Sequence, residues 1–469
     1  MKLVRHFLSP LRRSQALPKV PAGRLPRRNG LVPLRVLLPL ALALAPLRAQ
    51  PAAPALPATI DLRAAVAFAL ENNFDVRQAR ERIKQQEGVI VEVSAREIPN
   101  VAASGSFQLN DSDIGTSFPA SDRAWQINLT ASQVLYAGGG VRSAVRSSTL
   151  TRDAALLDLK AVINLALLQV RTSFYGVLLA REQIKVQESN LQLLQEQLKT
   201  TTDRFDAGTV SSFEKLRAEV AVANAKVPLI TANNNYRLAI ESLRQGLGLI
   251  QGQAETLRSG PEFVGTLDYT PSIFDLAALF SAARANRPEL ERLAKLEEAG
   301  EASITTARSG ARPTVSAFGG WALRKGATDD FGDSNNGWLL GVQSQWNIFD
   351  GRATAGRVTQ ARSRLEQTRL SHTEAQLAVE VEVRTAYSRW QEATELAGAS
   401  QRVVEQATEA VRLANARYGA GTSTQLDVLQ AQVDLTTARS NQIQAYYAYN
   451  VAVASLRRAT GQADEFVSR

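Results

Sequence analysis

Side chains able to do covalent or metal chemistry are scarce in this 469-residue chain, which has no Cys, one Met and two His, His6 and His372. Without thiols there is no Cys nucleophile, no thiolate metal site and no disulfide. His372 falls within a helical pattern and reads as a solvated helix residue, not as a base or ligand. No phosphate-binding loop, zinc motif or nucleophile elbow is present, and Gly138-Gly139-Gly140 reads as a bend between strand and helix. The acidic runs Asp111-Ser112-Asp113 and Asp329-Asp330-Phe331-Gly332-Asp333 lack the spacing and the closing Glu of a calcium loop, and read as solvated hairpin tips. The expectation is no catalytic centre, no cofactor and no metal site. What the sequence does carry is two carboxylates at set distances behind two glycines. Ser211 with Glu214, and Thr424 with Asp427, have capping-box spacing just after Gly208-Thr209 and Gly421-Thr422, so their expected work is to accept backbone N–H groups at helix starts.

Those turns belong to a long internal repeat. Arg204-Phe205-Asp206-Ala207-Gly208-Thr209 recurs as Arg417-Tyr418-Gly419-Ala420-Gly421-Thr422, and Leu135-Tyr136-Ala137-Gly138 matches Ile348-Phe349-Asp350-Gly351 at the same offset. Asp61, Asn72 and Pro99 match Asp275, Asn286 and Pro313. Each unit reads as helix, strand, loop, strand, very long helix, sharp turn and returning helix. The units cover 60–247 and 273–460, with linkers at 50–59 and 248–272 and a tail at 461–469.

The elements that position the turns are helices of unusual length. One is expected over 141–206, about 100 Å long at 1.5 Å per residue. Leu156, Ile163, Val170, Val177, Ile184, Leu191, Leu198 and Phe205 recur every seventh residue along it, a coiled-coil seam, and Val383, Trp390, Ala397, Val404, Val411 and Tyr418 repeat the pattern. Gly208 and Gly421 end these helices as C-terminal caps. The first helices of the units, 61–97 and 274–310, stop before Pro99 and Pro313. Pro228 predicts a kink or local break in the first returning helix.

Four strands are expected, at about 100–110, 124–136, 313–324 and 337–349. Val101, Ala103, Gly105, Phe107 and Leu109 alternate with small and polar residues, and the other three segments alternate likewise. Their lengths suit a bilayer crossed at barrel tilt. Trp125, Tyr136, Trp321, Trp338, Trp346 and Phe349 near their ends suit an interfacial aromatic belt. A soluble sandwich would alternate too, but small residues with Gln and Asn make a poor core and a good wet wall. Four strands do not close a barrel and lipid tolerates no open edge, so protomers must pool strands. Two, three or four protomers would all satisfy that rule.

The charge of +9 would ordinarily suggest a nucleic-acid partner. Ten of the 54 basic residues, and no acid, lie within 1–49, so the remaining chain is near neutral against 45 acids. A basic segment, the apolar run Leu31 to Leu47 and Leu47-Arg48-Ala49 have the layout of a secretory signal peptide over 1–49. No uninterrupted run of 18 apolar residues follows it, which leaves β-strands to cross a membrane.

The two-unit layout, the Phe205-Asp-Ala-Gly-Thr and Tyr418-Gly-Ala-Gly-Thr turns, and Asp427-Val428-Leu429 resemble the TolC-like outer-membrane efflux family over about 60–460. The resemblance implies an α+β membrane protein in the cell outer membrane. It implies a homotrimer sharing a 12-stranded barrel in outer-membrane lipid, continued into the periplasm by a coiled-coil α-helical barrel. A periplasmic adaptor would meet the tips at Gly208, Thr209, Gly421 and Thr422 and link them to a proton-driven or ATP-driven inner-membrane pump. Asp427 would form an acidic ring at the tunnel entrance, with Glu214 and Tyr418 in an entrance latch. Gln430 stands where the family often has a second acid, and Ser423 where it can have an Arg, which implies one ring and a weaker ionic latch. The resulting function is passive export by efflux or type I secretion; the competing reading is a structural coiled-coil envelope protein without transport.

Overall fold

The computed structural model describes residues 59–109, 111, 123–250, 262–325 and 333–462. The expected signal peptide, most of both acidic hairpin tips and the end of the tail lie outside the described residues. The elements are β1 (Thr59–Ile60), α1 (Leu62–Asn72), α2 (Phe74–Ser94), β2 (Asn100–Leu109), β3 (Arg123–Ala137), α3 (Gly140–Asp206), α4 (Ser212–Leu247), β4 (Glu262–Phe263), α5 (Leu276–Asn286), α6 (Pro288–Arg308), β5 (Thr314–Lys325), β6 (Ser334–Gln345), α7 (Ala353–Gly419) and α8 (Gln425–Ala459). The order from α1 to α4 recurs from α5 to α8, with β4 between the two units.

Both long helices run 67 residues. α2 and α4 pack on α3, while α6 and α8 both lie between α3 and α7. The half-length helices therefore follow one another along the long ones, and their junctions are explicit. The Asn73 amide donates to the Gly246 carbonyl at the end of α4 at 2.9 Å. At the equivalent place Arg287 donates to the Arg458 and Ala459 carbonyls at the end of α8, 3.1 and 3.5 Å away. Gly248 and Gly461 complete these joints in the left-handed conformation, where a Cβ would run into the carbonyls of Asn72 and Asn286. Each expected first helix is thus two helices. Asn73 has extended ψ and caps α2 by accepting from Asp75 and Val76 N–H, and Pro288 opens α6 at a position where its missing N–H is no loss.

Two further expectations need correction. α4 is continuous through Pro228, so that residue makes no break. The heptad seam holds in α7, where all but half-buried Val404 are buried, but in α3 only Val170 and Val177 are buried and Leu156 is exposed. α3 meets α1, α2, α4, α6 and α8, so its buried positions spread over several faces instead of one. The start of the first unit also meets the segment between the units: β1 and β4 form a parallel two-stranded ladder.

That ladder roofs the main core. Phe174, Val177 and Leu178 of α3, Leu243 and Leu247 of α4, and Phe263 of β4 are buried together. Burial of each large side chain contributes on the order of 2–3 kcal/mol. α3 also contains an eighteen-residue window apolar enough to cross a membrane by composition. A second cluster joins Val383 and Trp390 of α7 to Tyr449 and Leu456 of α8 and Leu279 of α5.

The sheet order is β2-β3-β5-β6, antiparallel throughout. β6 begins at Ser334 and ends at Gln345, short of the expected 349, because its partner ladder stops at Thr314 and the preceding Pro313 has no N–H to give. Trp346 and Phe349 accordingly lie past the strand, and the Trp346 indole donates to the Ala311 carbonyl at 3.1 Å.

Candidate functional site

The two turns are built the same way. Gly208, at φ 72°, and Gly421, at φ 74°, are left-handed, which favours glycine. Gly208 N–H donates to Phe205 O and Thr209 N–H to Arg204 O, each at 2.9 Å, the paired bonds of a Schellman ending. Gly421 and Thr422 repeat them with Tyr418 O and Arg417 O. Threonine follows each glycine for a reason: its hydroxyl donates to the same carbonyl, Thr209 to Arg204 at 2.9 Å and Thr422 to Arg417 at 3.2 Å.

The returning helices start differently. Before α8, Thr424 Oγ1 accepts from Asp427 N–H while Asp427 Oδ2 accepts from Thr424 N–H at 2.9 Å, a complete capping box. Before α4, Ser211 accepts from Glu214 N–H, and no return bond completes a box there. Asp427 Oδ2 also accepts from Ser423 Oγ at 2.6 Å and from Thr424 Oγ1 at 2.9 Å. Asp427 is exposed. The Ser423 hydroxyl first, then the Thr424 amide and hydroxyl, hold its carboxyl below the ordinary carboxylate range.

Tyr418 is buried, and the Arg204 guanidinium lies 4.7 Å from its ring centre, so the two turns touch through a cation–π contact. Beside it Gln425 Nε2 donates to Thr201 Oγ1 at 3.3 Å. The sequence assigns no role to Arg204, Thr201 or Gln425, and it marks Ser423 as a missing Arg, not as a partner of Asp427. Arg204 had a signal, as a cation in the last turn of a long helix beside an aromatic that recurs in the repeat. Asp434, to which the sequence assigns no role, is exposed seven residues after Asp427 and accepts from Gln430 Nε2 at 2.9 Å. His372 is half-buried, not solvated, with Nδ1 2.6 Å from Glu297 Oε1.

In the sheet, cross-strand register sorts side chains onto two faces. Phe107 faces Trp125, Ala103 faces Leu129, Leu129 faces Trp321, and Trp321 faces Trp338, so one apolar face runs across all four strands. Ser104 faces Asn128, Ser106 faces Gln126, and Ser316 faces Gln343 on the other. A bulge at Leu135 keeps this order. Simple alternation would turn Tyr136 to the wet face; with Leu135 unpaired, Tyr136 stands opposite Val315 on the apolar face.

A sheet wet on one face and apolar on the exposed other, continuing into helices far longer than any globular core needs, defines a channel subunit. Two stretches, 66–249 and 279–462, match the model of the family described as Outer membrane efflux protein. The chain belongs to that family. It is 22% identical over 403 residues to Nodulation protein T of Rhizobium leguminosarum bv. trifolii, covering 82% of this chain and 84% of that one. It is 25% identical over 394 residues to the cobalt-zinc-cadmium resistance protein CzcC of Cupriavidus metallidurans, covering 81% and 85%. Among solved structures, the outer membrane protein VceC of Vibrio cholerae aligns over 86% of this chain and 96% of its own with a TM-score of 0.72 at 17% identity. The protein is an outer-membrane exit channel for efflux or secretion that extends into the periplasm.

Proposed function

We propose that the channel is a homotrimer whose three four-stranded sheets close one twelve-stranded transmembrane barrel above a helical periplasmic tunnel. The observation that carries this reading is the sheet: an apolar face continuous over four strands, with β2 and β6 as unpaired edges among the described residues. Each backbone group left unpaired in lipid costs several kcal/mol, so the edges require partners. The helices support the same closure. α4 exposes an apolar stripe of Phe213, Leu216, Val220, Val227 and Ile230, and α7, at the opposite edge, exposes Leu396, Val403 and Leu413. Trp125, Tyr136, Trp321 and Trp338 on the apolar face, with Trp346 and Phe349 beyond β6, serve as the aromatic belt.

In this reading 1–49 is a signal peptide, 50–59 and 248–272 are linkers, 60–247 and 273–460 are copies of one unit, and 461–469 is a tail. The tips at Gly208, Thr209, Gly421 and Thr422 meet a periplasmic adaptor, which connects them to a proton-driven or ATP-driven inner-membrane pump. The substrate is whatever that pump delivers. Asp427 carboxylates ring the entrance and favour cations. Asp434, two turns along α8, adds a second acidic level about 10 Å deeper. Tyr418 and Glu214 belong to the latch, with Arg204 holding Tyr418 in place.

Two measurements test this. The assembly should migrate as a heat-modifiable trimer in detergent, which a soluble filament would not. In planar bilayers the wild-type channel should prefer cations and Asp427→Ala should weaken that preference, the remainder resting on Asp434; unchanged selectivity would overturn the entrance assignment.

A further inference from the structure

Among the described residues the wet face of the sheet has one aromatic side chain, Phe318 of β5, which stands between Ser132 on β3 and Gly341 on β6. Along β5 its neighbours on that face are Ser316 and Gly320. Four small residues thus surround the phenyl, and none is large enough to cover it. Both glycines are needed. A Cβ on Gly341 would come within 2.7 Å of the tip of the Phe318 ring, and one on Gly320 would run into the Leu129 carbonyl. The ring therefore lies across the β6 backbone, half-buried, with Leu339 diagonal to it on the same face, opposite Gly320. Thr130 and Gln343 occupy the next positions around this apolar spot. A phenyl on a wet wall serves neither a core nor a lipid contact, so its open surface is left for a ligand.

Size decides between a gate and a contact site. Twelve strands about 4.8 Å apart, tilted by about 40°, make a wall of roughly 75 Å circumference, or about 24 Å between opposite backbones. A side-chain layer is about 5 Å deep, which leaves about 14 Å open at the level of Phe318. Three phenyls on that wall do not meet and cannot close the lumen. Each can hold a solute that travels along the wall.

Resting on the barrel reading above, we infer that Phe318, with Leu339, is a binding site in the barrel lumen for the aromatic ring of exported solutes. Lipid lies on the other face of the sheet, so what reaches this side chain is water, ions and the cargo of the exit channel. A ring stacked offset or edge-on against the phenyl gains contact that a short aliphatic group of the same charge does not, and the small flanking residues leave room for it.

The test uses the full-length assembly in nanodiscs and two neutral, water-soluble probes, para-fluorophenyl glucoside and trifluoroethyl glucoside, whose binding is read from fluorine NMR relaxation during titration. The sugar is common to both, and neither carries a charge for the acidic entrance to attract. Wild type should bind the aryl glucoside roughly fivefold more tightly than the alkyl one. Phe318→Ser should bring that ratio close to one, and so should Phe318→Leu, which keeps an apolar side chain and serves if Ser disturbs the sheet. Phe318→Tyr, which keeps the ring, should restore the wild-type ratio. A ratio near one in wild type, or an undiminished ratio in both Phe318→Ser and Phe318→Leu, overturns the site while insertion in the same discs leaves the barrel standing. Failure of the wild type itself to insert overturns both.

Discussion

Arg287 offers a quantitative test of how the half-length helices are joined. Its side chain is 6% exposed, with Nη2 2.6 Å from Glu382 Oε2 and Nε 3.2 Å from Glu289 Oε2, besides its two bonds to the end of α8. Removing one partner of a buried ion pair costs roughly 3–5 kcal/mol. Glu382 and Glu289 are 31% and 26% exposed and Arg458 remains beside both, so Arg287→Ala should fall at the low end, about 3 kcal/mol per protomer. At the equivalent joint, Asn73→Ala removes a neutral bond to Gly246 O and an N-cap, about 1–2 kcal/mol. Arg287→Asn, which imports the solution used in the first unit, should recover part of the loss. The assay is urea-induced loss of the helical circular-dichroism signal at one fixed protein concentration, since assembly and stability are linked. Midpoints should rank wild type, then Asn73→Ala, then Arg287→Ala. A wild-type midpoint for Arg287→Ala, or a lower one for Asn73→Ala, would refute the reasoning.

Selectivity should also depend on pH through Ser423. The folded carboxyl of Asp427 lies below its usual range, so its charge and its stabilising bonds persist above the unfolded value and vanish as pH falls through the folded one. Ser423→Ala removes the largest cause and should move the loss of cation preference in planar bilayers to higher pH; an unmoved midpoint would discount the hydroxyl. Gly421→Ala meets no atom within 4 Å, so only its left-handed backbone is strained, by about 1 kcal/mol. Amide exchange at the tip should speed up about fivefold, and less in Gly421→Asn. Ile230→Asp places a charge in the exposed stripe of α4 and should shift the protein from trimer to monomer in size-exclusion chromatography with light scattering.

What was readable from sequence follows the range of the signal. The long helices and their Gly-Thr endings are local, since Gly208 and Thr209 bond carbonyls only a few residues back. Alternation likewise marked each strand within itself. The break at Asn73 was local too, but an N-cap Asn between two helical patterns looks like one helix with a polar residue, and only Pro288 in the second unit contradicted that. The seam of α7 was readable because the helix buries one stripe, whereas α3 serves five neighbours and buries positions that no single period describes. β1 and β4, two residues each, are too short to carry a period. The bulge at Leu135 exists only relative to β5, and the contact of Arg204 with Tyr418 joins residues more than two hundred positions apart. At the tip, therefore, Asp427 and its cap could be anticipated, but the partners that hold Tyr418 could not.

The joints at Asn73 and Arg287 have a mechanical consequence. The wall of each protomer resembles running-bond masonry: columns with a seam midway alternate with α3 and α7, which cross that level unbroken. No single plane of weakness passes through every column, so a bending load at mid-height is carried by continuous backbone hydrogen bonds in every second stave. A jointed stave can yield at its seam without severing the conduit.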